Sequence, residues 1–137
     1  MFTLLEGRLA RELTEETGMS MADYTVLSNL VEAEDRSWRI TGLAEHMQWS
    51  QSRLSHQILR MEARGLVRRE DVDQDRRGTL VVLSEEGLKA IAAAAPGHFR
   101  SVRHHMIDLL SYEQLRVLGV VADVVVGHLI DDEPSDE

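Results

Sequence analysis

The stretch ITGLAEHMQWSQSRLSHQILRMEARGLVRREDVDQDRRGTLVVL, residues 40–83, decides the fold of this chain. Its apolar residues recur first at helical spacing, on both sides of a short polar turn, and then in two short strand-like runs around a polar segment that ends in glycine. Ser50 is placed to cap the second helix, and Gly65 supplies the left-handed position that ends it. The stretch therefore predicts a helix-turn-helix followed by a β-hairpin, the arrangement called a winged helix.

The second of these helices opens with small, hydrogen-bonding side chains where an ordinary surface helix would carry Glu and Lys. Such side chains can reach base edges in the major groove, because Gln pairs well with adenine, Arg with guanine, and Ser with several bases. The residues predicted to contact base edges are Gln51, Ser52, Ser55 and His56. Arg53 and Arg60 are predicted to contact bases or backbone. For His56 the alternative is an inert surface position.

The loop of the hairpin carries two arginines, Arg76 and Arg77, directly before Gly78. Arginine gains from the enhanced negative potential of a narrow minor groove, so a hairpin tipped with arginine is suited to enter one. Asp75 is unexpected so close to phosphate unless it braces an arginine, and we assign it that role of wing support. Taken alone, the hairpin could be a merely solvated turn. Its position directly after a helix-turn-helix favours a wing.

The charge of the chain is distributed in a way that suits a polyanionic partner. The formal net charge is −9. Between Arg36 and Arg77, however, nine arginines outnumber six acidic residues, a local net charge of +3 that leaves −12 for the two flanks. A chain with a basic middle and acidic ends can bind double-stranded DNA through one face. The alternative is an ordinary solvated, charged surface.

The whole chain is predicted to be mostly α-helical, an α+β winged helix-turn-helix with about six helices and a two- or three-stranded β-wing. We expect one domain over residues 1–137, with a dimerisation lobe of residues 1–20 and 97–131, a winged helix-turn-helix lobe of residues 21–96 and an acidic tail of residues 132–137. Several local expectations accompany this division. Trp38–Ile40 should form a short strand, and capping boxes of Ser20 with Asp23 and of Ser111 with Gln114 should start the second and last helices. Thr41 should cap the third helix, Leu59 should join the buried stripe of the fourth, and Pro96 should bend or interrupt the fifth.

The last helix, predicted over about residues 112–130, is apolar around nearly its whole circumference. Its apolar residues include Leu115, Val117, Leu118, Val120, Val121, Val124, Val125 and Val126. A helix of this kind must be buried on all sides, and a domain this small cannot easily surround its own C-terminus. We therefore predict a homodimer that joins through the N- and C-terminal helices. The alternative is a monomer that covers these valines with its own helix-turn-helix.

The run from Ile40 to Gly87 closely resembles the DNA-binding lobe of MarR-type transcriptional regulators, the multiple-antibiotic-resistance regulator family. The resemblance rests on Leu-Ala at 43–44, the pattern SxxxLSxxIxxMExxGLV that begins at Ser50, Asp-Arg-Arg at 75–77 and LSxxG at 83–87. It extends with less detail over nearly the whole chain. The resemblance implies an obligate dimer, a palindromic operator and, usually, repression relieved by a small ligand. It also implies that Arg77 enters the minor groove and that Asp75 holds the wing.

Other kinds of site find little support in the sequence. There is no cysteine, which excludes disulfides, thiolate metal sites and the cysteine switch of the redox branch of that family. The six histidines show no metal-binding spacing, and no catalytic motif is present, so neither a metal, nor another cofactor, nor an enzyme is predicted. Tyr24, Trp38 and Trp49 could line a cleft for a small-molecule effector; core packing is the alternative for all three.

The rival function is a winged-helix protein-interaction module without DNA binding, whose arginines would face an acidic partner protein. Retention of a random DNA duplex at low salt would distinguish the two functions. No run of about eighteen apolar residues is free of charge, and the N-terminal sequence lacks the order of a signal peptide. A cytoplasmic protein with no membrane partner is therefore expected.

Overall fold

A computed structural model describes residues 1–71 and 78–132 of the chain. Its helices are α1 (Phe2–Thr17), α2 (Met21–Glu32), α3 (Ile40–Met47), α4 (Gln51–Ala63), α5 (Glu85–His105) and α6 (Tyr112–Asp131). Its strands are β1 (Ser37–Arg39), β2 (Val67–Asp71) and β3 (Thr79–Leu83), and single 3₁₀ turns span Glu34–Arg36 and Ile107–Leu109. The predicted fold class, a mostly helical winged helix-turn-helix, is confirmed.

The chain divides into two compact units, Met1–Phe99 and the remainder from Arg100 onward. The first unit contains the helix-turn-helix, the sheet and most of α5. The second contains the end of α5 and all of α6. Two predicted lobes do not follow this division and stay predictions. They are the dimerisation lobe of residues 1–20 and 97–131 and the winged helix-turn-helix lobe of residues 21–96.

The core of the first unit lies where α2, α3 and α4 meet the inner face of the sheet. Its side chains with no exposed surface are Val26, Leu27, Leu30, Leu43, Leu54, Ile58, Met61 and Val81. Each fully buried side chain of this size contributes about 1.5–3 kcal/mol relative to an exposed one. The helix-turn-helix is therefore a rigid part of a packed core, which positions the outer surface of α4.

The three strands form one antiparallel sheet in the order β1-β3-β2. In β1, Ser37 pairs with Val82 and Arg39 with Leu80, while β2 pairs with β3 from Val67–Leu83 to Asp71–Thr79. The strand predicted at Trp38–Ile40 is thus displaced by one residue.

The displacement of β1 also corrects the expected cap of α3. This helix begins at Ile40, its N-cap is Arg39, and no side chain caps it. The predicted N-cap Thr41 is wrong, because the chain passes directly from the last paired residue of β1 into the helix and Thr41 already lies inside it.

The other predicted caps are confirmed. Ser20 and Asp23 form a capping box at the start of α2, and Ser111 and Gln114 form another at the start of α6. Ser50 Oγ accepts a hydrogen bond from the backbone N–H of Arg53 at 3.1 Å. Glycines end two of the helices: Gly18 after α1 and Gly65 after α4 adopt left-handed backbone angles, with φ of 72° and 76°.

A tight junction joins the start of α5 to the end of α4. Ser84 Oγ donates to the backbone carbonyl of Gly65 at 2.5 Å and accepts from the backbone N–H of Gly87 at 2.9 Å. A Cβ atom at Gly87 would collide with the carbonyl oxygen of Leu66. Only glycine fits there, which lets the backbone of α5 lie directly against the base of the hairpin.

Two expectations about side chains and helix continuity are corrected. Leu59 is 45% exposed, because it follows Ile58 by one residue and the helix turns about 100° in that step. α5 runs through Pro96, so the interruption expected there as one of two outcomes is wrong, while the bend stays a prediction. Proline removes one backbone hydrogen bond but has a φ close to the helical value, and the preceding alanines Ala92–Ala95 have the highest helix propensity.

Helix α6 has no buried residue. Its valines are about half exposed or more, from 47% at Val117 to 69% at Val124, while Leu115 and Leu118 are half-buried. The homodimer and the alternative, a monomer that covers these valines with its own helix-turn-helix, both stay predictions. Across residues 1–71 and 78–132, no helix is both long and apolar enough to cross a membrane.

Candidate nucleic-acid interface

A tight turn between α3 and α4 sets the angle of α4. Gln48 adopts a left-handed conformation with φ of 56°, and its backbone N–H donates to the carbonyl of Glu45 at 3.0 Å. The next N–H, that of Trp49, donates to the carbonyl of Ala44 at 2.9 Å. These bonds satisfy the last carbonyls of α3 and let Ser50 start α4 at once, which is the geometry of a helix-turn-helix.

Helix α4 has one buried face and one polar face. Leu54, Ile58 and Met61 point into the core with no exposed surface. The residues predicted for DNA contact that lie exposed are Gln51, Ser52, Arg53, His56 and Arg60, and Ser55 is half-buried. The structure thus places all six on one helix, five of them in its first six residues, where unpaired N–H groups and the positive end of the helix dipole also favour phosphate.

Arg53 is held against an aromatic ring. Its guanidinium carbon lies 3.7 Å from the centre of the Trp49 ring, within the range of a cation–π interaction. Trp49 is half-buried and packs on the core. Its position next to Arg53 gives it a role in shaping the surface of α4.

The carboxylate of Asp23, on α2, binds the side of α4 away from the turn. One of its oxygens, Oδ1, accepts from Gln57 Nε2 at 2.7 Å. The other, Oδ2, accepts from Arg64 Nη1 at 2.7 Å and from the backbone N–H of Ser20 at 3.1 Å. Asp23 is only 3% exposed. A single buried carboxylate therefore links the start of α2 to the middle of α4 at Gln57 and to its C-cap at Arg64.

The environment of Asp23 keeps it ionised. Burial by itself raises the pKa of this carboxyl, but the hydrogen bond and charge of Arg64, together with the bonds from Ser20, outweigh burial and lower the pKa below its ordinary value. The charged form is thus the one that the surrounding donors stabilise.

Gln57 continues the network to the exposed surface. Its Oε1 accepts from Arg60 Nη2 at 2.9 Å. The side chain of Gln57 is 5% exposed, so its amide has few partners other than Asp23 and Arg60. Arg60, one of the residues predicted for DNA contact, is therefore oriented by the protein rather than loose in solvent.

A second clamp joins α4 to the hairpin. Glu62 accepts from the backbone N–H of Arg69 at 2.9 Å and from its Nε at 3.1 Å. The hydrogen bonds and charge of Arg69 lower the pKa of Glu62. Arg69 is the middle residue of the outer strand β2, so this pair fixes the direction in which the hairpin leaves the helix.

The tip of the hairpin lies outside the described residues. Arg76 and Arg77, predicted to contact DNA, and Asp75, predicted to support the wing, all fall there. The paired strands that lead to the tip end at Asp71 and begin again at Thr79. These three assignments stay predictions.

The three aromatic residues predicted for a ligand cleft have different surroundings. Trp38 lines an open cleft of about 430 Å³ together with Asn29, Glu32, Ala33, Glu34, Ser37 and His46. The rings of Trp38 and His46 lie 4.8 Å apart. Neither Tyr24 nor Trp49 lines this cleft.

Tyr24 instead contacts His98, with 4.5 Å between the ring centres. Burial raises the pKa of Tyr24 and lowers the pKa of His98. His98 Nδ1 is buried without a hydrogen-bond partner among the described residues. In the same part of the chain, no cluster of three or more His, Asp or Glu side chains could hold a metal ion.

Sequence reasoning missed three residues of this interface: Asp23, Gln57 and Glu62. Asp23 was expected only as a helix cap, which it also is. Gln57 carried a usable signal, because it occupies a core position between Leu54 and Ile58 where a polar side chain needs a buried partner. Glu62 had no comparable signal, since an acidic residue near the end of a helix is usually solvated.

An exposed polar helix held by a packed helix-turn-helix, with a paired hairpin beside it, defines a winged helix-turn-helix protein. The family model described as the MarR family matches residues 17–78. The solved structure of AbsC, a MarR family transcriptional regulator from Streptomyces coelicolor, is 43% identical, covers 96% of this chain and 88% of its own, and superposes with a TM-score of 0.88. The chain belongs to the MarR family of transcriptional regulators.

Two further solved structures are similar. Sco3205, a MarR family transcriptional regulator from Streptomyces coelicolor in complex with DNA, is 39% identical over 99% of this chain and 84% of its own, with a TM-score of 0.89. A mutant of MarR from E. coli complexed with operator DNA shares the fold, with 18% identity over 90% of this chain and 86% of its own and a TM-score of 0.80. A comparison with curated proteins found no match.

Proposed function

We propose that this chain is a sequence-specific DNA-binding regulator that acts as a homodimer on a palindromic operator, in the cytoplasm, and that it represses transcription. It acts by binding and not by catalysis. The recognition helix is α4, and the wing is the hairpin of β2 and β3 with its loop. The observation that carries the proposal is the polar face of α4, exposed at its N-terminal half and held from behind by a fully packed core.

Electrostatics and hydrogen-bonding capacity support DNA as the partner. Gln51, Ser52 and His56 can reach base edges, while Arg53 and Arg60 can contact guanine or phosphate. The relative Sco3205, 39% identical, was solved in complex with DNA. We extend the same activity to this chain, with Arg76 and Arg77 of the wing in the minor groove and Asp75 as their support.

The apolar surface of α6 supports the homodimer. Soluble monomers rarely expose a contiguous apolar surface of this extent, and the exposed valines run the length of the helix. Phe2 and Leu4 of α1 are also largely exposed, at 65% and 80%. A second copy of the chain is the partner that would cover both helices, and it would bring two recognition helices to major grooves about ten base pairs apart.

A small-molecule effector completes the proposal, as the family resemblance implies. The cleft beside Trp38 has a volume within the usual range of ligand sites, about 300–1,000 Å³. Its lining is part aromatic and part acidic, with Glu32 and Glu34 at its rim. No residue there selects one compound.

The test is selection of bound duplexes from a random pool, followed by titration of the enriched duplex. We expect one palindromic sequence to be enriched and its affinity to fall steeply with salt, because arginine–phosphate contacts release counterions. Gln51→Ala should change the preferred sequence, whereas Arg77→Ala should weaken binding to all sequences and reduce the salt slope by about one.

Two results would contradict parts of this proposal. Equal binding by the wild-type chain and Arg77→Ala would remove the wing assignment. Failure to retain any duplex in dilute buffer would remove the function itself and favour the rival, a winged-helix module whose arginines bind an acidic protein. Lys89→Ala is the control, since Lys89 is an exposed cation of α5 away from the recognition helix.

A further inference from the structure

We propose that Asp23 is a positioning residue for DNA binding: its carboxylate on α2 holds Arg60 of the recognition helix in place through the amide of Gln57. The inference rests on the proposed function, because Arg60 matters here as a DNA contact. Neither Asp23 nor Gln57 touches the exposed face of α4. Both act through Arg60.

The chemistry of the three groups allows only one arrangement of the amide. A carboxylate only accepts hydrogen bonds, and a guanidinium only donates them. Gln57 lies between the two, and it presents Nε2 to Asp23 at 2.7 Å and Oε1 to Arg60 at 2.9 Å. The reversed amide would set oxygen against carboxylate and N–H against guanidinium. Asp23 therefore determines which end of Gln57 faces Arg60.

Burial makes this orientation hold. Asp23 and Gln57 are 3% and 5% exposed, so little water is available to replace a lost partner. The cap bond from the Ser20 N–H and the ion pair with Arg64 fix the carboxylate itself. The Gln57 amide is thus hydrogen-bonded to a carboxylate that is itself fixed, and Arg60 is hydrogen-bonded to that amide.

The consequence for DNA binding is preorganisation. Gln57 uses one of the five N–H donors of Arg60, which leaves four for phosphate or a base. A long side chain that is already oriented loses less conformational entropy when it binds. Breaking the network should therefore weaken DNA binding even though Arg60 itself is unchanged.

The test is a double-mutant cycle on the duplex that the wild-type chain enriches from a random pool. We expect Asp23→Asn to weaken binding about three- to tenfold, the effect of freeing one long side chain. The Nδ2 group of an Asn side chain can donate to Oε1 of a reversed Gln57 amide, which would turn N–H groups toward Arg60 and release it. In an Arg60→Ala background, Asp23→Asn should change the dissociation constant by less than about twofold.

The cycle separates positioning from a general loss of fold. If Asp23→Asn weakened binding by the same factor with and without Arg60, Asp23 would act through stability and the inference would be wrong. Gln57→Met keeps the side-chain volume and leaves the Asp23–Arg64 ion pair intact. If Asp23→Asn does not fold, Gln57→Met takes its place in the cycle. We expect Gln57→Met to show the same dependence on Arg60.

A measurement without DNA distinguishes failure of this inference from failure of the proposed function. Nitrogen-15 relaxation of the Arg60 guanidinium in the free protein should show an ordered group in the wild type and a mobile one in Asp23→Asn and Gln57→Met. Lys89→Ala is the control, because Lys89 pairs with Glu86 outside this network and its removal should leave Arg60 ordered. Equal mobility of Arg60 in all variants would overturn the inference whatever the DNA result.

Discussion

Helices α4 and α6 differ in where their apolar side chains find partners. In α4, Leu54, Ile58 and Met61 are completely buried within the chain, and the polar residues lie outside. In α6 no residue is buried, although the helix is the more apolar of the two. The apolar side chains of α4 are covered by their own chain, whereas those of α6 are the ones for which we propose a second copy as the cover. Amphipathicity thus distinguishes the helix proposed to face DNA from the helix proposed to face protein.

The largest expected effect is on association through α6. Val124→Glu should convert the dimer to monomer at micromolar concentration, because each dimer would bury two uncompensated carboxylates, each costing several kcal/mol. Sedimentation equilibrium measures the change. His56→Glu, which puts the same charge on the exposed face of α4, should leave the dimer intact and weaken only DNA binding. A dimer that tolerates Val124→Glu would place the interface elsewhere.

The next effect concerns the buried face of α4, for which the helix offers a matched pair of leucines. Leu54→Ala should lower the free energy of unfolding by about 2–5 kcal/mol, the usual cost of a cavity at a fully buried leucine. Leu59→Ala, at a position 45% exposed, should cost less than about 1 kcal/mol. Urea unfolding at one fixed protein concentration measures both. Similar losses of unfolding free energy at the two sites would contradict the assignment of one buried and one exposed face to α4.

The smallest effect is the acid sensitivity that Asp23 confers. Because its pKa is lowered in the folded chain, Asp23 contributes stability above its unfolded pKa, and this contribution is lost as the pH falls through the folded pKa. Asp23→Asn should therefore lose less stability than the wild type between pH 5 and pH 2, as measured by urea unfolding. Part of the acid loss should persist in the variant, since the pKa values of Glu62 and Glu113 are also lowered. Parallel pH profiles would show that the Asp23 bonds are not formed in solution.

Much of the interface could be predicted because its signals are local. The caps at Ser50 and Ser111 and the left-handed Gly65 depend on a few neighbouring residues, and the structure contains all of them. The errors are also local in kind. Thr41 was predicted as the N-cap two residues after the actual N-cap, Arg39. Leu59 was misplaced by one residue, a step that a helix converts into about 100° of rotation.

The sequence by itself determined the order of elements, the polar face of α4 and the apolar surface of α6, because periodicity and capping depend on residues that lie close together along the chain. Only the tertiary structure decided that Asp23 meets Gln57 and Arg64. Those partners are 34 and 41 residues away along the chain, and no periodic pattern connects a helix cap to a distant side chain. The packing of α2 against α4 brings them within hydrogen-bond distance, and burial then makes each bond costly to lose.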